Sequence, residues 1–190
     1  MISGALFFPG AGAGRDTPNL VAVDRALVEA LDGITVVRAD FPYRKEGRRS
    51  PDRPAKAVAA VNEEAIALAA AVGDDTTAGL VLGGRSFGGR MCSLAVAEGL
   101  PAAGLALIAY PLHPPGKPDR LRTEHFGDLD LPCLFVSGTS DPFGSPDELE
   151  AHAAAIPGPV THAWIDGGRH DLRGADRQVA DAVVAWAGAL

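Results

Sequence analysis

Cysteine is scarce: Cys92 and Cys133 are the only two in 190 residues, and they form no C-x-x-C pair. A disulfide framework and a thiolate metal site are excluded as organising features. The two thiols are expected to be small buried hydrophobes, and no metal is expected. Positive charge is also in short supply. Seventeen lysines and arginines face 24 aspartates and glutamates, for a net charge of -7, and the basic residues are scattered. A phosphate backbone is repelled on average, so nucleic acid is not an expected partner. Long apolar runs are missing as well: no segment reaches the ~18 residues of a membrane span. MISGALFFPGAG at the N-terminus has no basic residue ahead of its short apolar run, as a secretory signal requires. A cytoplasmic protein with no membrane partner is the expectation.

What is present suits a packed interior. Hydrophobic residues make up 47% of the chain and charged residues 22%, a balance that supports a sizeable core. The length suits one domain, residues 1–190, better than two with separate interiors. Six short apolar runs recur: ALFF (5–8), ITVV (34–37), GLVLG (79–83), GLALIA (104–109), CLFVSG (133–138) and VTHAWI (160–165). Their near-continuous hydrophobicity is that of parallel strands covered on both faces. Thr161 and His162 dilute the last, which places it at an edge.

Between these runs the apolar spacing turns helical. Thr17-Pro18 opens a helix with Leu20, Val23, Leu27 and Leu31 on one stripe, and Val58, Val61, Ala65, Leu68 and Val72 line a second. Ser145-Pro-Asp-Glu148 has the form of a capping box opening a helix through Ile156, and Val179, Val183, Trp186 and Leu190 stripe the last. The alternation predicts an α/β fold: a three-layer α/β/α sandwich on a mostly parallel six-stranded sheet. Two connections, 41–54 and 111–131, are long and rich in Pro, Gly and charge. They read as site-forming loops outside the core.

The chemistry starts at Gly84-Arg85-Ser86-Phe87-Gly88, directly after the third apolar run and before the helix-like MCSLAVAEGL. A strand-to-helix turn this sharp exposes its serine above the sheet, and small flanking residues let the chains pass. The Phe87 N–H then points toward a developing oxyanion, and the helix dipole favours the negative charge. Gly79 through Ser86 also resembles a phosphate loop. Arg85 stands where that motif needs Lys, however, and residues 80–82 read as strand.

A serine hydroxyl needs a base, and the base needs a group that fixes its tautomer. Asp141 follows the fifth run in SGTSDPFG and His170 follows the sixth in DGGRHDL. Both therefore reach the carboxyl edge where Ser86 stands, in the chain order serine, acid, histidine. Asp166 is the alternative acid, though its nearness to Gly167-Gly168 suits a turn-shaping role. His125, His152 and His162 read as solvated or structural. Arg15, Tyr43 and His113 are placed by their loops at the entrance, and Arg15 and Arg85 raise the question of an anionic substrate. The loop Pro9-Gly-Ala-Gly-Ala-Gly14 is expected to supply a second oxyanion donor. It is not a dinucleotide fingerprint, because Arg15 replaces the third glycine, so no cofactor is expected.

The segments GAGAGRDTP (10–18), FPYRKEGRRSPDR (41–53), LGGRSFGGRM (82–91), YPLHPPGKP (110–118), LRTEHF (121–126) and SGTSDPFG (137–144) carry a family likeness. Through them the chain resembles small single-domain α/β-hydrolases related to the testis-expressed hydrolase-like proteins and to a subunit of the non-specific-lethal chromatin complex. The resemblance implies an α/β-hydrolase fold without a cap and the triad Ser86, Asp141 and His170. It also implies Ala11 as the second oxyanion donor. Family members usually carry His-Gly where this chain has Pro9-Gly10. The expected activity is a serine hydrolase, of carboxylesterase type, acting on a small-molecule ester or thioester. A non-catalytic interaction module and an acyltransferase using the same triad are the alternatives. The acyl part is expected to be small or open to solvent, and a homo-oligomer is compatible with the composition.

Overall fold

A computed structural model describes residues 2–190. Six strands form one parallel sheet: β1 (Gly4–Phe8), β2 (Thr35–Arg38), β3 (Leu80–Arg85), β4 (Gly104–Ile108), β5 (Cys133–Gly138) and β6 (Val160–Ile165), in the order β2-β1-β3-β4-β5-β6. The chain starts in the middle, winds outward to β2, crosses back to β3 and proceeds to the far edge. The reversal places the carboxyl ends of β1 and β3 at the switch point, where ligands bind in open α/β sheets. β6 lies at an edge, as its diluted sequence requires.

Helices cover both faces: α1 (Pro18–Ala30) and α6 (Asp176–Ala187) on one, α3 (Pro54–Val72), α4 (Phe87–Ala97) and α5 (Pro146–Ala153) on the other. The alternation of β1 shows why both faces are dry. Ala5 and Phe7 pack with Leu20, Val23, Leu27, Val179 and Val183, while Leu6 and Phe8 pack with Val58, Val61 and Met91. Burying each large apolar side chain contributes about 1.5–3 kcal/mol. At α5 the capping box is present: the Glu148 N–H donates to Ser145 Oγ and the Ser145 N–H to Glu148 Oε2. That helix stops at Ala153, short of Ile156, which packs from the following turn. Leu190 lies beyond α6 and is not buried.

The long connections differ from expectation. Residues 41–54 contain a short helix, α2 (Pro42–Lys45), and Phe41 and Tyr43 are fully buried. Leu112, His113, Phe126 and Leu129 of the second connection are buried too. Phe41 stacks on Phe8 at 4.6 Å between ring centroids, and Tyr110, Phe126 and Phe135 form an edge-on cluster. Both loops therefore belong partly to the core, their aromatic residues offsetting their polar composition. Cys92 and Cys133 are buried free thiols, Cys133 pushed up to about 12 by burial. Among the described residues no helix is long and apolar enough to cross a membrane.

Candidate active site

The β3–α4 turn is built on glycines that admit no side chain. A Cβ on Gly84 or on Gly88 would lie 2.2 Å from the Phe8 carbonyl oxygen, so only bare backbone lets this turn close against β1. Between them Ser86 takes φ 50° and ψ -112°, a conformation that side-chain-bearing residues rarely adopt and that costs on the order of 1–3 kcal/mol. The Ser86 N–H donates to the Ile108 carbonyl at 2.8 Å, pinning the strained residue to the end of β4.

His170 and Asp141 converge on it. The Ser86 hydroxyl lies 2.8 Å from His170 Nε2, and His170 Nδ1 lies 2.8 Å from Asp141 Oδ2. Carboxylate Oδ2 only accepts, so Nδ1 carries the ring proton, and Nε2 is left as the lone-pair nitrogen facing the serine. The Asp141 side chain is 2% exposed, and its Oδ1 accepts from the Phe143 N–H at 2.8 Å. The loops bearing the two residues are locked together. Ser140 N–H donates to Gly168 O, and a Cβ on Gly138 would sit 2.1 Å from that same oxygen. Phe143 stacks on the imidazole with ring centroids 3.8 Å apart.

Asp166 does not approach the imidazole. It accepts from Thr139 Oγ1 at 3.4 Å, and the Gly167 N–H donates to the same hydroxyl, which assigns it to the turn. His125 donates to Ser93 inside the protein, and His162 stacks between Phe135 and Trp164.

Ser86, His170, Ala11 and Phe87 open on one cavity of about 500 Å³. Among the described residues the N–H groups of Ala11 and Phe87 have no hydrogen-bond acceptor. Two unspent donors beside a hydroxyl, an imidazole and a carboxylate are the parts that acyl transfer needs. The expected entrance residues are elsewhere. Tyr43 is buried and its hydroxyl accepts from the Gly12 N–H, which shapes the Ala11 loop from beneath. His113 is buried beside Pro114 and Glu148. Arg15 is exposed, its N–H on Asp40, and lines a separate depression with Arg38 and Asp40. Sequence reasoning missed Phe143, Arg90 and Arg122, which do line the Ser86 cavity. Phe143 was signalled by its place two residues after Asp141. The two arginines come from elements 32 residues apart, and no local pattern joins them.

Comparison with known proteins agrees with this fold. Residues 4–188 match a family model described as an alpha/beta hydrolase domain. Among solved structures, the chain is similar to Est1E from Butyrivibrio proteoclasticus, with a TM-score of 0.79, 15% identity and coverage of 99% of this chain and 88% of that one. It is similar to a dienelactone hydrolase from Anabaena variabilis, with a TM-score of 0.75, 19% identity and coverage of 97% and 85%. A putative hydrolase from Xanthomonas campestris matches with a TM-score of 0.69, 20% identity and coverage of 99% of both chains. At these identities the likeness is one of fold.

Proposed function

Since the chain belongs to the alpha/beta hydrolase domain family, we propose that it is a serine hydrolase acting on ester or thioester bonds through Ser86, His170 and Asp141. The observation that carries this reading is the unbroken relay of two 2.8 Å contacts from Ser86 Oγ through the imidazole to Asp141. His170 Nε2 takes the Ser86 proton as Oγ attacks the carbonyl carbon. The oxyanion so formed accepts from the Ala11 and Phe87 N–H groups. His170 then returns the proton to the leaving alcohol or thiol, and the acyl group remains on Ser86. Water, deprotonated by the same imidazole, attacks the acyl-enzyme and releases the acid. Asp141 keeps the Nδ1–H tautomer and steadies the imidazolium.

Nothing in this sequence of steps needs a cofactor. The likeness of segments such as FPYRKEGRRSPDR and YPLHPPGKP supports a place among the small relatives of the testis-expressed hydrolase-like proteins. The lack of a lid-length insertion beyond 111–131 supports an acyl group that is short or open to solvent. Hydrolysis of 4-nitrophenyl acetate tests the reading. Wild-type protein should give a stoichiometric burst followed by turnover, and Ser86→Ala should give neither. Equal rates in the two proteins would refute it.

A further inference from the structure

The cavity around Ser86 runs against the charge of the molecule. The chain as a whole carries -7, yet among the described residues the cavity wall holds Arg85, Arg90 and Arg122 and no carboxylate. All three are partly buried, and their guanidiniums are poorly partnered. Arg122 has no carboxylate within 4 Å among the described residues. Its Nη1 reaches only the Pro111 carbonyl, at a long 3.3 Å. Arg85 gives one Nη2 proton to the His170 carbonyl, and its buried Nε has no acceptor among the described residues. Among the described residues only Arg90 of the three has an acid within 4 Å, Glu124 at 3.1 Å, whose side chain is 58% exposed, and the buried Arg90 Nε is again unaccepted.

The arrangement is held in place on purpose-built contacts. The Arg122 N–H donates to Leu112 O, and the Arg122 carbonyl accepts from Tyr110 Oη at 2.6 Å. His125 ties the same loop to α4 through Ser93, whose hydroxyl donates to the Arg90 carbonyl. The backbones that carry Arg90 and Arg122 are thus tied together, both residues line one cavity, and burial together with the Arg90 charge holds the Arg122 group below its ordinary pKa. An anion there would relieve the repulsion and engage planar forks suited to carboxylate or phosphate.

We propose that the substrate cleaved at Ser86 carries an anionic group, a carboxylate or a phosphate, which Arg90 and Arg122 bind beside the scissile carbonyl. The inference rests on the serine-hydrolase reading for the word substrate, and the anion site itself is testable without turnover. Isothermal titration calorimetry of Ser86→Ala with glutarate and with inorganic phosphate should show binding of at least one, and which one binds identifies the anion. Adding Arg122→Gln should weaken that binding by about tenfold or more. Glu124→Gln frees Arg90 from its competitor at an exposed position and should tighten it. Failure of both anions to bind, or binding indifferent to both substitutions, would overturn the proposal. In active protein, the ratio of kcat/KM for 4-nitrophenyl hydrogen glutarate to that for 4-nitrophenyl butyrate should fall by about tenfold in Arg122→Gln. Anion binding without hydrolysis of either ester would keep the site and refute the hydrolase reading; hydrolysis with an unchanged ratio would do the reverse.

Discussion

Asp141 uses both of its oxygens: Oδ1 accepts from the Phe143 backbone and Oδ2 from His170. Replacing one oxygen by an amide nitrogen removes more than charge. An Asn amide turned toward Nδ1 donates where an acceptor is needed, forcing the ring proton onto Nε2 and leaving no base for Ser86. Asp141→Asn should therefore lower kcat by about 10⁴-fold, as loss of tautomer control does in other triads. Among the described residues the Thr139 hydroxyl is the one side-chain hydrogen-bond partner of Asp166, so Asp166→Asn should stay within about threefold of wild type, inside the scatter of ordinary surface changes. Steady-state kinetics on one ester decides between them. A larger loss at Asp166 would reverse the assignment of the acid.

At the scale of elements, two packing devices hold the site. The first is the approach of α4 to β1 at Gly88. An alanine methyl would meet backbone that cannot yield, so Gly88→Ala should cost about 2–3 kcal/mol from overpacking. That corresponds to a fall in Tm of roughly 5–10 °C for a chain of this size. Gly127 has open space around it, and Gly127→Ala should melt close to wild type; equal midpoints for the two variants would contradict the packing argument.

The second device is the loop following Pro111, tied to α4 by His125. Ser93 has one hydroxyl proton and donates it to Arg90 O, so His125 Nε2–H is the donor to Ser93. Its buried Nδ1 is bare and has no partner among the described residues. Burial pushes the His125 pKa down from 6.5 to about 4. The unfolded chain then binds the extra proton first as pH falls, so the stability this histidine allows is complete above about pH 6.5 and is lost progressively toward pH 4. The depression corresponds to roughly 3 kcal/mol at its limit. Thermal melts across that window should show a smaller acid loss in His125→Gln than in wild type. Parallel curves would place the acid sensitivity elsewhere.

Across the whole molecule, strain gathers where the chemistry is proposed. Among the described residues, the three non-glycine residues at positive φ are Ser86 after β3, Ala109 after β4 and Leu172 two residues beyond His170. All lie near the carboxyl ends of the strands. Much of this plan was legible in the sequence. Continuous apolar runs announce central strands, and G-x-S-x-G between a strand and a helix announces the turn, because both signals are local. The buried halves of 41–54 and 111–131 were not legible. Phe41, Tyr43 and Phe126 stand singly among prolines and charges and are buried by distant partners, with no periodicity to reveal them. Tyr43 and His113 were misplaced at the entrance for the same reason. Phe143, by contrast, lay within reach of a reading that asked what donates to Asp141.

The central claim is that Ser86 is an activated nucleophile facing two oxyanion donors, and covalent capture tests it without knowledge of the substrate. A fluorophosphonate should label folded wild-type protein at Ser86 alone, located by mass spectrometry of the modified peptide. The adduct places a phosphoryl oxygen where the Ala11 and Phe87 N–H groups can donate to it. Labelling should vanish in Ser86→Ala and fall steeply in His170→Ala, since an unassisted hydroxyl reacts slowly near neutral pH. Labelling at another serine, or none in folded wild-type protein, would contradict the claim.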